Sequence, residues 1–161
     1  MSFFKSRSDI ALIKLATTVS NVNPIKIYQD RNEKGKTITV YGKGATGNGL
    51  IGENIETKSL GEINQFQNIV ENAKGNWLAF KFDQSVNALP LEGMHGSGDS
   101  GGASVVFQQG VPLLVGLSSW QLGHGNISDF KGGLYGANAY QVRLSSYYEW
   151  IESVLNPQQA N

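Results

Sequence analysis

A chain of 161 residues, 40% of them hydrophobic and 16% charged, is long enough for one domain with its own apolar core, and that mixture does not describe a disordered segment. Thirteen basic and thirteen acidic side chains cancel with no long run of either sign, so neither nucleic acid nor a membrane is an expected partner. The absence of cysteine removes disulfides, thiolate metal sites and cysteine nucleophiles together.

The opening MSFFKSRSDIALIKL places Lys5 and Arg7 ahead of short apolar pieces broken by Asp9 and Lys14. That is too interrupted for a signal-peptide core or a membrane span. Residues 10–15 read as a first strand and 20–24 as a linker. Residues 37–41 alternate Ile38 and Val40 with Thr37, Thr39 and Tyr41, the period of a half-buried strand. Residues 53–74 fit neither the helical nor the strand period and stay unassigned. A strand over 77–82 sets Leu78, Phe80 and Phe82 on one side.

Strands over 103–107 and 113–120 flank Gln108-Gln109-Gly110, a hairpin connection, and 134–144 adds another strand. At the end of the chain, Ser146 and Glu149 have capping-box spacing, and Tyr147, Trp150, Ile151, Val154 and Leu155 recur at helical spacing. Asn156-Pro157 stops that helix. With 20 glycines punctuating short β-branched runs, the predicted class is all-β: a mostly antiparallel domain closed by one C-terminal helix. No internal repeat or low-complexity tract interrupts it.

The stretch HGSGDSGGASVV, residues 95–106, satisfies three chemical patterns at once. As Gly96-x-Gly98-x-x-Gly101 it is a dinucleotide loop, but such a loop must open a helix whose N-terminus meets the phosphates, and here a strand follows. As Gly98-x-Ser100-x-Gly102 it is a hydrolase elbow, which also needs a helix after the serine and an acid before a histidine; downstream, His124 precedes Asp129. As Gly98-Asp99-Ser100-Gly101-Gly102 it is a protease nucleophile loop, where the glycines allow a tight turn that presents a hydroxyl.

The third pattern has company. That string, the strand after it, Ser119-Trp120 at the end of the next strand, Gly133-Leu134-Tyr135 and a terminal helix with Trp150 closely resemble trypsin-like, chymotrypsin-fold serine proteases. Asp9-Ile10-Ala11-Leu12-Ile13-Lys14-Leu15 is similar to the segment carrying that family's catalytic aspartate, and Gly42 sits where a glycine commonly ends an early second-barrel strand. The resemblance runs from Asp9 to Leu155. It implies a second antiparallel β-barrel over 31–145, preceded by the last part of the first barrel (1–19) and a linker (20–30), and closed by a helix over 146–156.

It also implies roles. Ser100 is the expected nucleophile, with the N–H groups of Gly98 and Ser100 as the oxyanion hole. Asp9 is the expected buried carboxylate that orients a histidine, held by the Ser119 hydroxyl. Asp99 is the structural support, pairing in the family with an amino terminus released by processing. Met94, six residues before the nucleophile, takes the base of the substrate pocket, which points to an apolar side chain there. His95, Ser97, Ser119, Trp120, Gln121 and Gly133 complete the expected substrate-binding set; Gln121 narrows the mouth and His95 adds a polar or acidic preference. Peptide is expected to pair with the edge at 119–121 as an added strand. No cofactor and no metal are implied, and secretion or a periplasmic location is the family's expectation.

One part is missing. The family's histidine precedes the aspartate by several dozen residues, and only eight residues lie ahead of Asp9. His95 and His124 are both poorly placed as bases. The expectation is therefore an N-terminally shortened portion of a two-barrel endopeptidase, nearly inactive alone, with its oxyanion loop disordered or rearranged. Its partners are expected to be peptide or protein substrates and either the missing barrel or a second copy. The alternative is an inactive homologue acting as a peptide- or protein-binding module.

Overall fold

The computed structural model describes residues 8–56, 62–84, 86, 88–123 and 130–157. Among them the chain is mostly β, a curled antiparallel half-barrel sheet with one C-terminal helix, consistent with the chymotrypsin-like fold. The strands are β1 (Lys26–Ile27), β2 (Thr37–Gly42), β3 (Thr46–Asn48), β4 (Gly52–Asn54), β5 (Asn64–Ile69), β6 (Asn72–Lys74), β7 (Trp77–Lys81), β8 (Ala103–Gln108), β9 (Val111–Leu122) and β10 (Asn138–Arg143). The main sheet runs β5-β2-β8-β9-β10-β7-β6, with β1 parallel to the start of β9, while β3 and β4 form a separate two-stranded sheet.

The curl has a local cause. β9 is 12 residues long and serves two partners in turn: β8 from Val111 to Leu117, then β10 from Gly116 to Leu122. Register shifts at Ser104/Val105 and at Tyr140/Gln141 mark bulges, which bend a strand and increase its twist. β8 turns into β9 through Gln109 (φ 51°) and Gly110 (φ 81°), the paired positive angles of a turn whose twist suits a two-residue hairpin.

Inside the curl, Tyr28, Ile38, Val40, Val70, Leu78, Phe80, Val106, Val115 and Ala139 form the core. Removing a Leu or Phe side chain from water contributes about 1.5–3 kcal/mol, so Leu78 and Phe80 from the alternating face of β7 are major contributors. Behind them, fully buried Glu33 accepts from Arg143 Nε (3.0 Å) and Nη2 (2.7 Å) and from the Ser145 hydroxyl. Arg143 also donates to the carbonyls of Ala73 and Arg31, each at 3.2 Å, tying the approach to β2 to β6 and β10. Burial pushes the Glu33 carboxyl up, but the hydrogen bonds from Arg143 and Ser145 outweigh it and hold the group below the usual carboxylate range.

Three expectations need correction, and the region left unassigned gains its strands. Residues 10–15 are not a strand: they pair with nothing in the sheet, and Ile13 and Leu15 are 83% and 61% exposed, because alternation makes a strand only where a neighbouring edge takes its hydrogen bonds. The strand expected over 134–144 begins only at Asn138, after a turn in which Gly136 has φ 85°. The unassigned region 53–74 holds the end of β4 and all of β5 and β6; β5, NQFQNI, lies at the edge of the sheet with Asn64, Gln65 and Ile69 exposed, while Asn68 is buried and donates to the Lys81 and Gly93 carbonyls.

The capping box does not form. Ser146 lies in a short 3-10 turn, Leu144–Ser146, and its hydroxyl donates to the Gly75 carbonyl (2.7 Å), so the helix α1 (Tyr148–Leu155) has Tyr147 at its N-cap position and no side-chain cap. Only Ile151 of α1 is buried.

Candidate active site

The loop from Gly93 to Gly102 is built by glycines and backbone hydrogen bonds. Asp99 N–H donates to the Gly96 carbonyl (3.1 Å) and Gly102 N–H to the Asp99 carbonyl (2.8 Å), closing two successive turns. Gly98 (φ 96°) and Gly101 (φ 79°) sit in the left-handed region that a side chain resists. At Gly102 a Cβ would fall 2.6 Å from the Tyr41 carbonyl oxygen and 2.8 Å from that of Asp99, so no larger residue fits. Residues 103–107 continue as β8, the strand that the protease pattern requires.

Ser100 projects from this loop, exposed, beside a cleft of about 270 Å3 lined in part by Tyr41, Ile63 and Gly98. The N–H groups of Gly98 and Ser100 make no hydrogen bond among the described residues, whereas Gly101 N–H donates to the Ser118 carbonyl (2.8 Å) and Ser118 N–H to the Gly102 carbonyl (2.9 Å). The next residue of β9, Ser119, donates its hydroxyl to Asp9 Oδ2 at 2.5 Å. Asp9 and Gly101, the neighbour of Ser100, are thus fastened to consecutive residues of one strand. Asp9 is exposed rather than buried, since none of the described residues covers it.

Asp99 is not left without partners. Its Oδ1 accepts from Gly44 N–H at 2.5 Å and its Oδ2 from Gly96 N–H at 2.8 Å. Gly42 and Gly44 make this possible, because a Cβ at either would stand 2.0 or 2.7 Å from the carboxylate. Two backbone donors thus take the place of the released amino terminus as partners of this carboxylate, and they hold the loop in an ordered turn.

His95 is buried, 3% exposed. The Gln141 amide nitrogen lies 3.1 Å from its Nδ1, and Gln141 Oε1 accepts from Ser104 Oγ at 2.5 Å. An amide donating to Nδ1 leaves the imidazole proton on Nε2, which has no hydrogen-bond partner that meets normal geometry. Burial pushes the His95 pKa below its ordinary range, against the pull of Asp99, the Trp120 carbonyl and Glu53, so the ring is neutral at pH 7. His124, the other histidine, lies outside the described residues.

The expected pocket residues are cross-linked. Gln121 donates from Nε2 to the His95 carbonyl (2.5 Å) and accepts from Gly133 N–H (3.1 Å), spanning the two walls. Ser97 donates from its backbone N–H (2.6 Å) and its hydroxyl (2.8 Å) to the Glu53 carboxylate. Trp120 stacks on Tyr140, centroids 3.7 Å apart and planes within 4°, and meets Trp77 edge-on at 5.9 Å. Met94 packs against the core cluster and lines a separate cleft of about 230 Å3 with Val40, Phe66 and Asp99.

Glu53 is the site residue that sequence reasoning missed. It belongs to no motif, and only the fold of the β3–β4 hairpin carries it to Ser97, 44 positions away.

Among the described residues no group of three or more His, Cys, Asp or Glu could hold a metal ion, and no helix is long and apolar enough to cross a membrane. The family model described as Trypsin matches residues 2–151. Two curated proteins with the name vitamin K-dependent protein C, from Rattus norvegicus and Mus musculus, are each 41% identical to this chain over 58 residues. Those residues are 36% of this chain and 11% of each relative.

Proposed function

The chain belongs to the trypsin family of serine proteases, and from that premise we propose that it carries the nucleophile-bearing part of a serine endopeptidase that cleaves peptide bonds through an acyl-enzyme on Ser100. One observation carries the reading: Ser119 holds Asp9 while the adjacent Ser118 holds Gly101, next to Ser100. A triad is recognised by such roles rather than by position in the chain.

In the proposed step, Ser100 Oγ attacks the peptide carbonyl as its proton passes to an imidazole oriented by Asp9. The carbonyl electrons move to oxygen, which the unspent N–H groups of Gly98 and Ser100 receive. Collapse expels the amine with the imidazole's proton, and water releases the acyl group by the same path in reverse. The imidazole is assigned to polypeptide outside these 161 residues, because the His95 ring is buried and bonded to Gln141 and His124 stands in a Gly-His-Gly stretch typical of exposed turns. Substrate backbone joins the edge of β9 at Ser119–Gln121, where β10 occupies one side only. Residues 1–19 are taken as the end of a first barrel, 20–30 as a linker, 31–145 as the second barrel and 146–156 as the closing segment that holds α1; secretion or a periplasmic location is the reading the family supports.

A non-catalytic peptide-binding module is the second reading, favoured by the cross-linked pocket walls. Fluorophosphonate labelling of a full-length form from the source gene separates the two. Labelling at Ser100, abolished in Ser100→Ala, is expected; a full-length form that stays unlabelled after processing refutes the endopeptidase.

A further inference from the structure

The Glu53 carboxylate lies in space that two missing side chains leave open. A Cβ on Gly96 would be 3.0 Å from Glu53 Oε2, and one on Gly132 would be 2.5 Å from Glu53 Oε1. Between these walls Ser97 offers two donors, its backbone N–H to Oε2 (2.6 Å) and its hydroxyl to Oε1 (2.8 Å), one for each oxygen. That is recognition of both oxygens of a carboxylate by charge-assisted hydrogen bonds. The neighbours of this cradle are Gln121, His95 and Gly133, all of which belong to the proposed substrate-binding set.

The residue that fills the cradle is brought by a hairpin that lies outside the main sheet. β3 and β4 pair only with each other, over three residues each, and all three residues of β3 are exposed. The hairpin is pinned to the pocket by Glu53 N–H to the Gly132 carbonyl (2.8 Å), Tyr135 N–H to the Gly49 carbonyl (2.9 Å) and Ala45 N–H to the Ser97 carbonyl (2.8 Å).

We propose that Gly96, Ser97 and Gly132 form a binding site for a single carboxylate, that Glu53 fills it as a built-in blocker, and that an acidic side chain of a bound peptide takes the site by displacing Glu53. The peptide part rests on the endopeptidase reading; the carboxylate site does not. A cationic side chain is the opposite possibility, with Glu53 as its counter-charge. The donors point against it, because Ser97 presents hydrogens to this space and Glu53 already occupies it.

The test uses the whole 161-residue chain and two probes. In Glu53→Ala, titration with acetate is expected to move the Ser97 amide resonance saturably towards its wild-type position, while acetamide leaves it alone and the wild-type resonance responds to neither. By fluorescence anisotropy with three labelled peptides that differ only in a Glu, Leu or Arg side chain at the pocket, Glu53→Ala is expected to bind the Glu peptide roughly tenfold more tightly than wild type does, the scale of one charge-assisted contact, with no such gain for the Leu or Arg peptide. Glu53→Ser, which also empties the cradle, repeats both measurements if the alanine variant does not fold. No response to acetate overturns the carboxylate site. Equal gains for all three peptides, or a loss confined to the Arg peptide, overturns the acidic preference. Acetate binding with no binding of any peptide keeps the site and overturns the peptidase reading on which the rest depends.

Discussion

Replacing Arg143 by alanine removes the four hydrogen bonds donated by its guanidinium and leaves fully buried Glu33 with the Ser145 hydroxyl. Breaking one side of a buried ion pair costs about 3–5 kcal/mol, because the remaining charge has lost both water and its partner. At about 2–4 °C per kcal/mol for a domain of this size, the melting midpoint at pH 7 should fall by roughly 6–20 °C. The deficit should also depend on pH in a defined direction. In the native chain Glu33 titrates below its ordinary 4.5, so its contribution is complete above that value and is lost as pH falls through the lower folded value. In the variant burial acts with little opposition and raises the carboxyl's pKa, so the variant's penalty fades as pH falls. Both trends shrink the difference on acidification. Thermal unfolding followed by circular dichroism at pH 7 and pH 4 measures it, with the Glu33→Gln/Arg143→Met double variant as reference. A deficit below about 1 kcal/mol at pH 7, or one that acid or the double substitution leaves unchanged, refutes the reasoning.

Gly102→Ala forces a Cβ to within 2.6 and 2.8 Å of two backbone oxygens that cannot rotate away, so a loss of about 1–3 kcal/mol is expected by urea titration; a loss within 0.5 kcal/mol, roughly the range of a surface substitution, contradicts the packing described at the loop. Because His95 is held neutral with its pKa below the ordinary 6.5, the unfolded chain takes up its proton first as pH falls. Stability should therefore decline from pH 6.5 down to the lower folded value, and a urea midpoint that stays level across that window in the wild type, or declines as much in His95→Gln, counts against a buried neutral ring.

What was legible in the sequence was local. Ile38 and Val40 in β2, and Leu78 and Phe80 in β7, alternate because each strand has one face on the core, and period two survives in the letters. The glycine pattern of the loop over 93–102 was legible for a similar reason, since its positive φ angles and close approaches demand glycine at fixed spacing. Contacts set by tertiary packing left no such trace. Glu33 and Arg143 are 110 positions apart and look like ordinary surface charges until the fold buries them. Residues 10–15 alternate as a strand should, yet no neighbouring edge takes their hydrogen bonds. Ser146 had the spacing of a cap and a better offer from the Gly75 carbonyl. In the site, Asp9, Ser119 and Ser100 were named from their resemblance to a family pattern; Glu53, which belongs to no pattern, was not.

Trp120 stands on the strand edge assigned to peptide, its indole lying flat on Tyr140 with Trp77 against it. Indole emission depends on its immediate surroundings, so a peptide that takes the proposed edge is expected to change the chain's own fluorescence. Of the three tryptophans, Trp150 is 41% exposed on α1, where it supplies a steady background, and Trp77→Phe with Trp150→Phe leaves a single emitter at the edge. Ligand arrival can then be timed in a stopped-flow cuvette with no dye attached and no bond cleaved.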